Sequence, residues 1–170
     1  RQLRREREHC CDDLVVTNNL FGHCTKSPVA MRFNPRRVIA PDTGKTATAK
    51  RNRILGNVFY GFAKGPELAD PDNRSDYNVF VHPPDAEPFD LAAWQKKTGR
   101  EAHSTTFASR MGLSPSDWTL RQAPPIPSLR FSRIPAVTYD LFATPRPGKT
   151  TEAGPFAGQN LKRETFRLPK

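Results

Sequence analysis

The side chains best suited to chemistry in this sequence are carboxylates and arginines between positions 51 and 76. Asp70, Asp72, Asn73 and Asp76 form an oxygen-rich stretch, and hard cations such as Ca2+ bind oxygen donors of this kind. Asp70, Asp72 and Asp76 are therefore the candidate metal ligands, with Ca2+ the candidate cofactor. A solvated loop is the competing reading, because the terminal Glu and fixed Gly of an EF-hand loop are missing. Glu67 and Asp70 are the nearest approach to the carboxylate pair that glycoside hydrolysis requires, although nothing in the sequence sets their separation. Arg51 and Arg53 are two apart, so in an extended segment both would face one side, where guanidinium groups can neutralise an acidic substrate or serve as a base. His23, His82 and His103 stand singly, without a Ser or Cys nucleophile motif, and structural roles are their default. These residues are a scattered set, and the expectation is that the chain lacks a complete catalytic site.

The elements that would have to position them show themselves in a repeat. Val16-Thr-Asn-Asn19-Leu20-Phe21, Ile54-Leu-Gly-Asn57-Val58-Phe59 and Ser75-Asp-Tyr-Asn78-Val79-Phe80 share Asn, then Leu or Val, then Phe. In a stacked solenoid alternate strand residues point inward, so Asn and Phe two apart both face the interior while the residue between faces out. Asn tolerates a left-handed corner, and its amide can both donate to and accept from an identical amide one coil away. Asn19, Asn57 and Asn78 are thus expected to form a ladder at equivalent corners, with Phe21, Phe59 and Phe80 stacked inside. Asn57 to Asn78 spans about one coil. Asn19 to Asn57 spans either two coils or one coil interrupted by the polar, basic segment Asn34–Arg53. A β-sandwich with three similar strands is the alternative architecture.

These motifs resemble the last coils of right-handed parallel β-helix proteins in the pectate-lyase-like superfamily. Phe89-Asp-Leu-Ala-Ala-Trp-Gln95, followed by Thr98-Gly99 and Ala102-His-Ser104, is similar to a helical insertion common after the Asp-Tyr-Asn coil. Tyr139-Asp-Leu-Phe-Ala-Thr-Pro-Arg-Pro-Gly148 and Ala153-Gly-Pro-Phe156 are similar to the closing segment. The resemblance covers about residues 10–157. It implies an all-β fold, a right-handed parallel β-helix of a few coils with a short helical insertion and a Pro-rich C-terminal cap. It also implies binding or processing of polysaccharide, by a lyase or glycoside hydrolase if catalytic, in an extracellular or periplasmic setting and with upstream coils in a longer parent chain.

The remaining features set boundaries. Asp90 is a helix N-cap, Phe89 and Trp94 have the spacing of a hydrophobic staple, and Gly99 is a C-terminal stop, so a short helix with Trp94 buried against the coils is expected. Prolines from position 115 onward leave room for two short strands, at 117–121 and 137–142, within a segment expected to block further stacking. The organisation expected is a charged segment at 1–13, coils at 14–84, a helical insertion at 85–104, terminal strands and cap at 105–157, and a charged, loosely held tail at 158–170. No run of about eighteen apolar residues exists to span a membrane. The net charge of +10 is divided unevenly, with twelve Lys/Arg against five Asp/Glu in 1–53, six against nine in 54–120, and nine against three in 121–170. Basic ends of this kind attract acidic polysaccharide or nucleic acid and equally serve solubility. Nucleic-acid or other polyanion binding, and a purely structural or adhesive solenoid, are the alternative functions. Cys10, Cys11 and Cys24 offer no metal spacing, and a disulfide and buried free thiols both remain open.

Overall fold

The computed structural model describes residues 12–22, 26–31, 38–40, 45–46, 49–156 and 164–168. Strands β1 (Val15–Thr17), β2 (Leu20–Gly22) and β3 (Ala30–Met31) make one circuit of the chain. An antiparallel hairpin of β4 (Val38–Ala40) and β5 (Lys45–Thr46) follows. A second circuit repeats the three strands as β6 (Arg53–Leu55), β7 (Val58–Tyr60) and β8 (Glu67–Leu68). A third supplies β9 (Arg74–Asp76) and β10 (Val79–His82), and after helix α1 (Leu91–Thr98) strand β11 (Thr105–Ala108) adds a further rung. Equivalent strands pair in parallel, in the orders β1-β6-β9, β11-β10-β7-β2 and β3-β8. The protein is mostly β, and each of these sheets is open. Val15–Thr17 lie directly opposite Arg53–Leu55, so the long interval is one circuit with an insertion, and the β4–β5 hairpin falls inside the expected 34–53 segment.

The corners explain why such short strands hold their register. Asn18, Gly56 and Tyr77 follow registered strand ends and all have positive φ, at 57°, 62° and 56°. Gly adopts this conformation freely and Asn readily, whereas a Tyr there stores about 1–3 kcal/mol that its surroundings must hold. The next residue at each corner is the repeated Asn. Asn57 Oδ1 accepts from the Asn19 backbone N–H (3.0 Å) and side-chain amide (3.2 Å), and Asn78 Oδ1 accepts from the same two groups of Asn57 (2.9 and 3.2 Å). Two residues on, Phe21, Phe59 and Phe80 form the expected column, with neighbouring centroids 5.4 and 5.3 Å apart. They pack with Ile54, Phe62 and Leu68 in a core enclosed by the parallel strands.

Helix α1 covers the end of this core. Asp90 accepts the Ala93 N–H at 2.9 Å, Gly99 ends the helix in a left-handed conformation, and Phe89 meets Trp94 edge-on at 6.0 Å. Phe89 also extends the ring column, 4.6 Å from Phe80. Trp94 is half-buried rather than buried as expected. Its indole lies over Gly65, where an added Cβ would come within 2.5 Å of Nε1.

The C-terminal part departs further from expectation. Strands β12 (Arg110–Ser114), β13 (Thr119–Ala123) and β16 (Thr165–Arg167) form an antiparallel sheet, and β14 (Arg130–Ser132) pairs with β15 (Thr150–Glu152). Met111, Leu120, Ile126, Phe156 and Phe166 pack onto Val58, Tyr60, Val79 and Val81, making a second core. Val58 and Val79 point away from the first core, yet are only 1% and 0% exposed. The Pro-rich segment therefore covers the flank of the longest parallel sheet, and its backbone follows the corners, with Gly154 donating to Gly56 O and Asn18 Nδ2 donating to Glu152 O. Of the two expected strands, 117–121 appears as β13 after a turn through Trp118, whereas 137–142 is a turn in which Asp140 Oδ1 accepts from Phe142 and Thr144. Within the expected tail, β16 is anchored by Phe166, stacked on Phe156 at 4.8 Å. Among the described residues no helix is long and apolar enough to cross a membrane. Cys10, Cys11, Cys24 and His23 lie outside the described residues.

Candidate functional site

Strands β6 and β9 put Ile54 and Ser75 inward, so Arg53 and Leu55, and opposite them Arg74 and Asp76, face outward. After the helix the backbone rejoins the stack, the Glu101 N–H donating to Ser75 O (2.9 Å) and the Thr105 N–H to Asn78 O (3.0 Å), but the first bond sets Glu101 opposite Asp76 and the second sets Thr105 opposite Val79, so the register shifts by one residue between them. Arg53 and Arg74 hold one position on neighbouring rungs, and Arg100, at the end of the helical insertion, lies beside them out of that register. Arg53 and Arg74 are thus one strand spacing apart, about 4.7–4.9 Å, with Arg100 close by. Arg133, next to β14, faces them across a cleft of about 720 Å³ that all four line.

Fixed positive charge in this cleft has few local counter-charges. Arg53 and Arg74 are exposed, and among the described residues neither pairs with a carboxylate. Arg100 donates to Asn73 O (3.2 Å) and Asp70 O (3.0 Å), and Arg133 to Gly148 O, Pro135 O and Val137 O at 2.9–3.2 Å. All these acceptors are neutral carbonyls. Like charges directly opposite on neighbouring strands oppose pairing by a few tenths of a kcal/mol up to about 1 kcal/mol, a cost that an anion between Arg53 and Arg74 would remove.

A column of rings forms the rim. Tyr77 and His103 occupy equivalent corners and stack at 4.6 Å with planes 4° apart, and Phe131 continues the column at 5.9 Å from Tyr77. Gly56, the equivalent corner one rung earlier, has no side chain, and Phe131 fills the space, since a Cβ there would lie 2.1 Å from the ring. Asp76 receives the His103 backbone N–H and approaches its Nδ1, both at 2.7 Å. A carboxylate oxygen accepts, so it is the Nδ1 proton of His103 that faces Asp76.

Behind the rim, Glu101 is fully buried and ends the Asn ladder. It accepts from Ser75 Oγ, Ser104 Oγ and Asn78 Nδ2 (2.9 Å), while Ser104 Oγ receives the Asn78 N–H as the next Asn would. Burial pushes its carboxyl above the ordinary glutamate value, against the opposing pull of these three donors.

Of the residues singled out from sequence, Arg53 lines the cleft and Arg51 does not. Arg51 sits at a corner with φ 56°, so it does not share the outward face of Arg53, and its guanidinium is held by Asp13 (2.8 Å) and Asp12 (3.2 Å). Glu67 lies on β8 beside a separate groove of about 430 Å³ with Trp94 and Lys97. Asp70 is buried in the turn after β8, accepting the Asp72 N–H at 2.9 Å with Lys50 at 4.0 Å. Glu67 and Asp70 thus do not face each other across the arginine cleft. Asp70, Asp72 and Asp76 do not converge either: Asp76 is committed to His103 and to the Tyr77 N–H, and among the described residues no three His, Cys, Asp or Glu groups are placed to hold a metal. His82 turns its Nδ1 toward Pro83 O at 2.9 Å, away from the cleft.

Arg74, Arg100, Arg133 and the Asp76–His103–Tyr77 cluster were not singled out, and part of the signal was there. The repeat is longer than Asn-Val-Phe: Asn52-Arg53 and Asn73-Arg74 precede the two copies at the same distance. These asparagines form a second ladder, with Asn52 N–H donating to Asn73 Oδ1 (2.9 Å) and Leu14 N–H to Asn52 Oδ1 (2.8 Å). Compared with protein-family models, with curated proteins and with solved structures, the chain finds no match.

Proposed function

We propose that the chain is the terminal part of a right-handed parallel β-helix, from an exported protein, that holds an acidic polysaccharide in the arginine cleft without a complete cleaving site of its own. The observation that carries this reading is the gathering of Arg53 and Arg74, opposite one another on neighbouring rungs, with Arg100 and Arg133 around one cleft, with no carboxylate pairing any of the four among the described residues. Guanidinium groups bind planar carboxylates in bidentate fashion. Parallel pairing at matched register supports the solenoid, as do the two Asn ladders and the Phe column. Among the described residues β1, β2 and β3 pair on one side only, and the opposite edge is where a further coil would pair.

Binding without turnover follows from the acids of the cleft. Asp76 is engaged by His103, and Glu101 is buried with its oxygens taken, which leaves no carboxylate pair flanking a sugar among the described residues of the cleft. Single-stranded nucleic acid would need free ring faces on which to stack. Here Tyr77 lies between His103 and Phe131, so only the outer face of His103 is open.

Calorimetric titration with oligogalacturonate, oligoalginate and a sulfated glycosaminoglycan at low salt, run beside an assay for unsaturated product, tests the reading. The expected result is binding to at least one acidic glycan, weakened about tenfold or more in Arg74→Gln, and no product. Absence of binding to every acidic glycan, or product formation that Arg74→Gln abolishes, would overturn it.

A further inference from the structure

We propose that the outer edge of β11 is a docking site for an extended, basic segment of a partner protein, which adds to the sheet as a further strand. β11 is the last member of the order β11-β10-β7-β2, and among the described residues no strand pairs with its outer side. The chain that follows runs into the antiparallel sheets, and the Pro-rich segment covers the flank of the parallel sheet rather than this edge. Main-chain pairing groups on such an edge are what an added strand recognises.

Register identifies those groups. Thr105 and Ser109 donate their backbone N–H to Asn78 O (3.0 Å) and His82 O (2.9 Å), across the ladder to β10. Backbone groups alternate in direction along a strand, so Thr106 and Ala108 turn N–H and C=O outward. Among the described residues neither N–H has a backbone partner, and Thr106 O receives the Thr105 hydroxyl at 3.3 Å. No residue of β11 is buried, which leaves the edge within reach of a second chain.

A groove of about 680 Å³ lies at this edge, between residues 104–106 and the start of α1. Thr106 stands opposite Phe80 and so shares its inward face, where Phe89 and Leu91 supply an apolar wall. Alternate side chains of an added strand would rest against that wall, as Phe59 and Phe80 do on the earlier rungs. Charge selects the occupant. Glu87 and Asp90 line the groove, both exposed, while no Lys, Arg or His lines it, and among the described residues neither acid is in an ion pair. A basic segment is attracted there and an acidic one repelled. A second copy pairing through the same edge is disfavoured for the same reason: β11 has only four residues, so two acidic grooves would meet.

The probe is a short fluorescein-labelled peptide of alternating Lys and Val, followed by anisotropy at low salt. Beside it are run the same peptide N-methylated at every Lys, the same peptide N-methylated at every Val, and an analogue with Glu in place of Lys. Methylation of one alternate set removes the donors that face β11 and is expected to weaken binding about tenfold or more, while methylation of the other set changes it little. The Glu analogue and Glu87→Lys should each cost about tenfold or more. Asp72→Lys, the same charge change at an exposed acid outside the groove, should not. Thr106→Pro deletes an outward N–H and no bond to β10, so it should weaken binding as methylation does, with urea melts confirming that the variants are folded. Equal binding of the two methylated peptides, equal losses from Glu87→Lys and Asp72→Lys, or no binding at all would overturn the proposal. A concentration-dependent dimer in sedimentation that Thr106→Pro abolishes would make a second copy the occupant and overturn it as well. None of these outcomes bears on the arginine cleft, whose reading is tested separately.

Discussion

Replacing Asn57 isolates the ladder from everything else in the fold. Its side chain is fully buried and makes five hydrogen bonds, accepting from Asn19 N and Nδ2 and donating to Val16 O (3.0 Å), Leu55 O (3.3 Å) and Asn78 Oδ1 (3.2 Å). In Asn57→Ala the Asn19 N–H and the Val16 carbonyl each lose this partner, while Asn78 Oδ1 keeps the Asn57 backbone N–H at 2.9 Å. Each deprived group costs about 1–3 kcal/mol where water cannot reach it. Asn19 is exposed and recovers part of its loss from solvent, so the expected total is about 2–4 kcal/mol. Asn57→Asp keeps the shape and the acceptor for Asn19 but turns the donor into a second oxygen facing three acceptors. At neutral pH it should therefore be worse than Ala. Burial and those acceptors raise the introduced carboxyl above its unfolded value of about 3.9. The stability of the variant is then greatest below that unfolded value and is lost as pH rises through the folded one. Urea unfolding at pH 4 and pH 7, followed by circular dichroism, measures both effects. A loss below about 0.5 kcal/mol for Ala, or an Asp variant equal to Ala at both pH values, would refute the ladder as a source of stability.

Glu101 behaves in the same sense within the native chain. Because burial raises its folded value above the ordinary 4.5, its contribution is complete below about that pH and declines as pH rises through the folded value. Glu101→Gln should flatten that dependence and match or exceed wild-type stability at pH 7, as read from melting temperatures between pH 4 and pH 8; a wild-type-to-Gln difference that does not change with pH contradicts the argument. At the helix, Gly65→Ala should cost about 1–3 kcal/mol by forcing a Cβ to within 2.5 Å of Trp94. Most of that cost should vanish when Gly65→Ala is made in a Trp94→Ala background, and strictly additive urea-unfolding energies would show that the two do not press on one another.

Local chemistry accounts for what the sequence determined by itself. Asn19, Asn57 and Asn78 could be assigned to equivalent corners because an amide that both donates and accepts suits a stacked repeat, and Phe two residues later must then share the inner face. Asp90, Phe89 and Gly99 fixed α1 because capping depends on neighbours within one turn. Tertiary structure decided where the remaining surfaces went. Val58 and Val79 alternate outward as the pattern requires, but only packing of the distant 110–168 segment made them core. The same holds for the tail, whose Phe166 stacks on Phe156 within a core that includes Met111 and Leu120, more than forty positions away. The candidate site was the least legible part. Hydrogen-bonded register shows that Arg53 and Arg74 share one position, and the helix that interrupts the last circuit is what brings Arg100 beside them. Arg133 reaches the same cleft from an antiparallel pair whose docking no local pattern specifies. Electrostatic sites are built from side chains brought together across circuits, and their separation in space is set by strand pairing rather than by spacing along the chain.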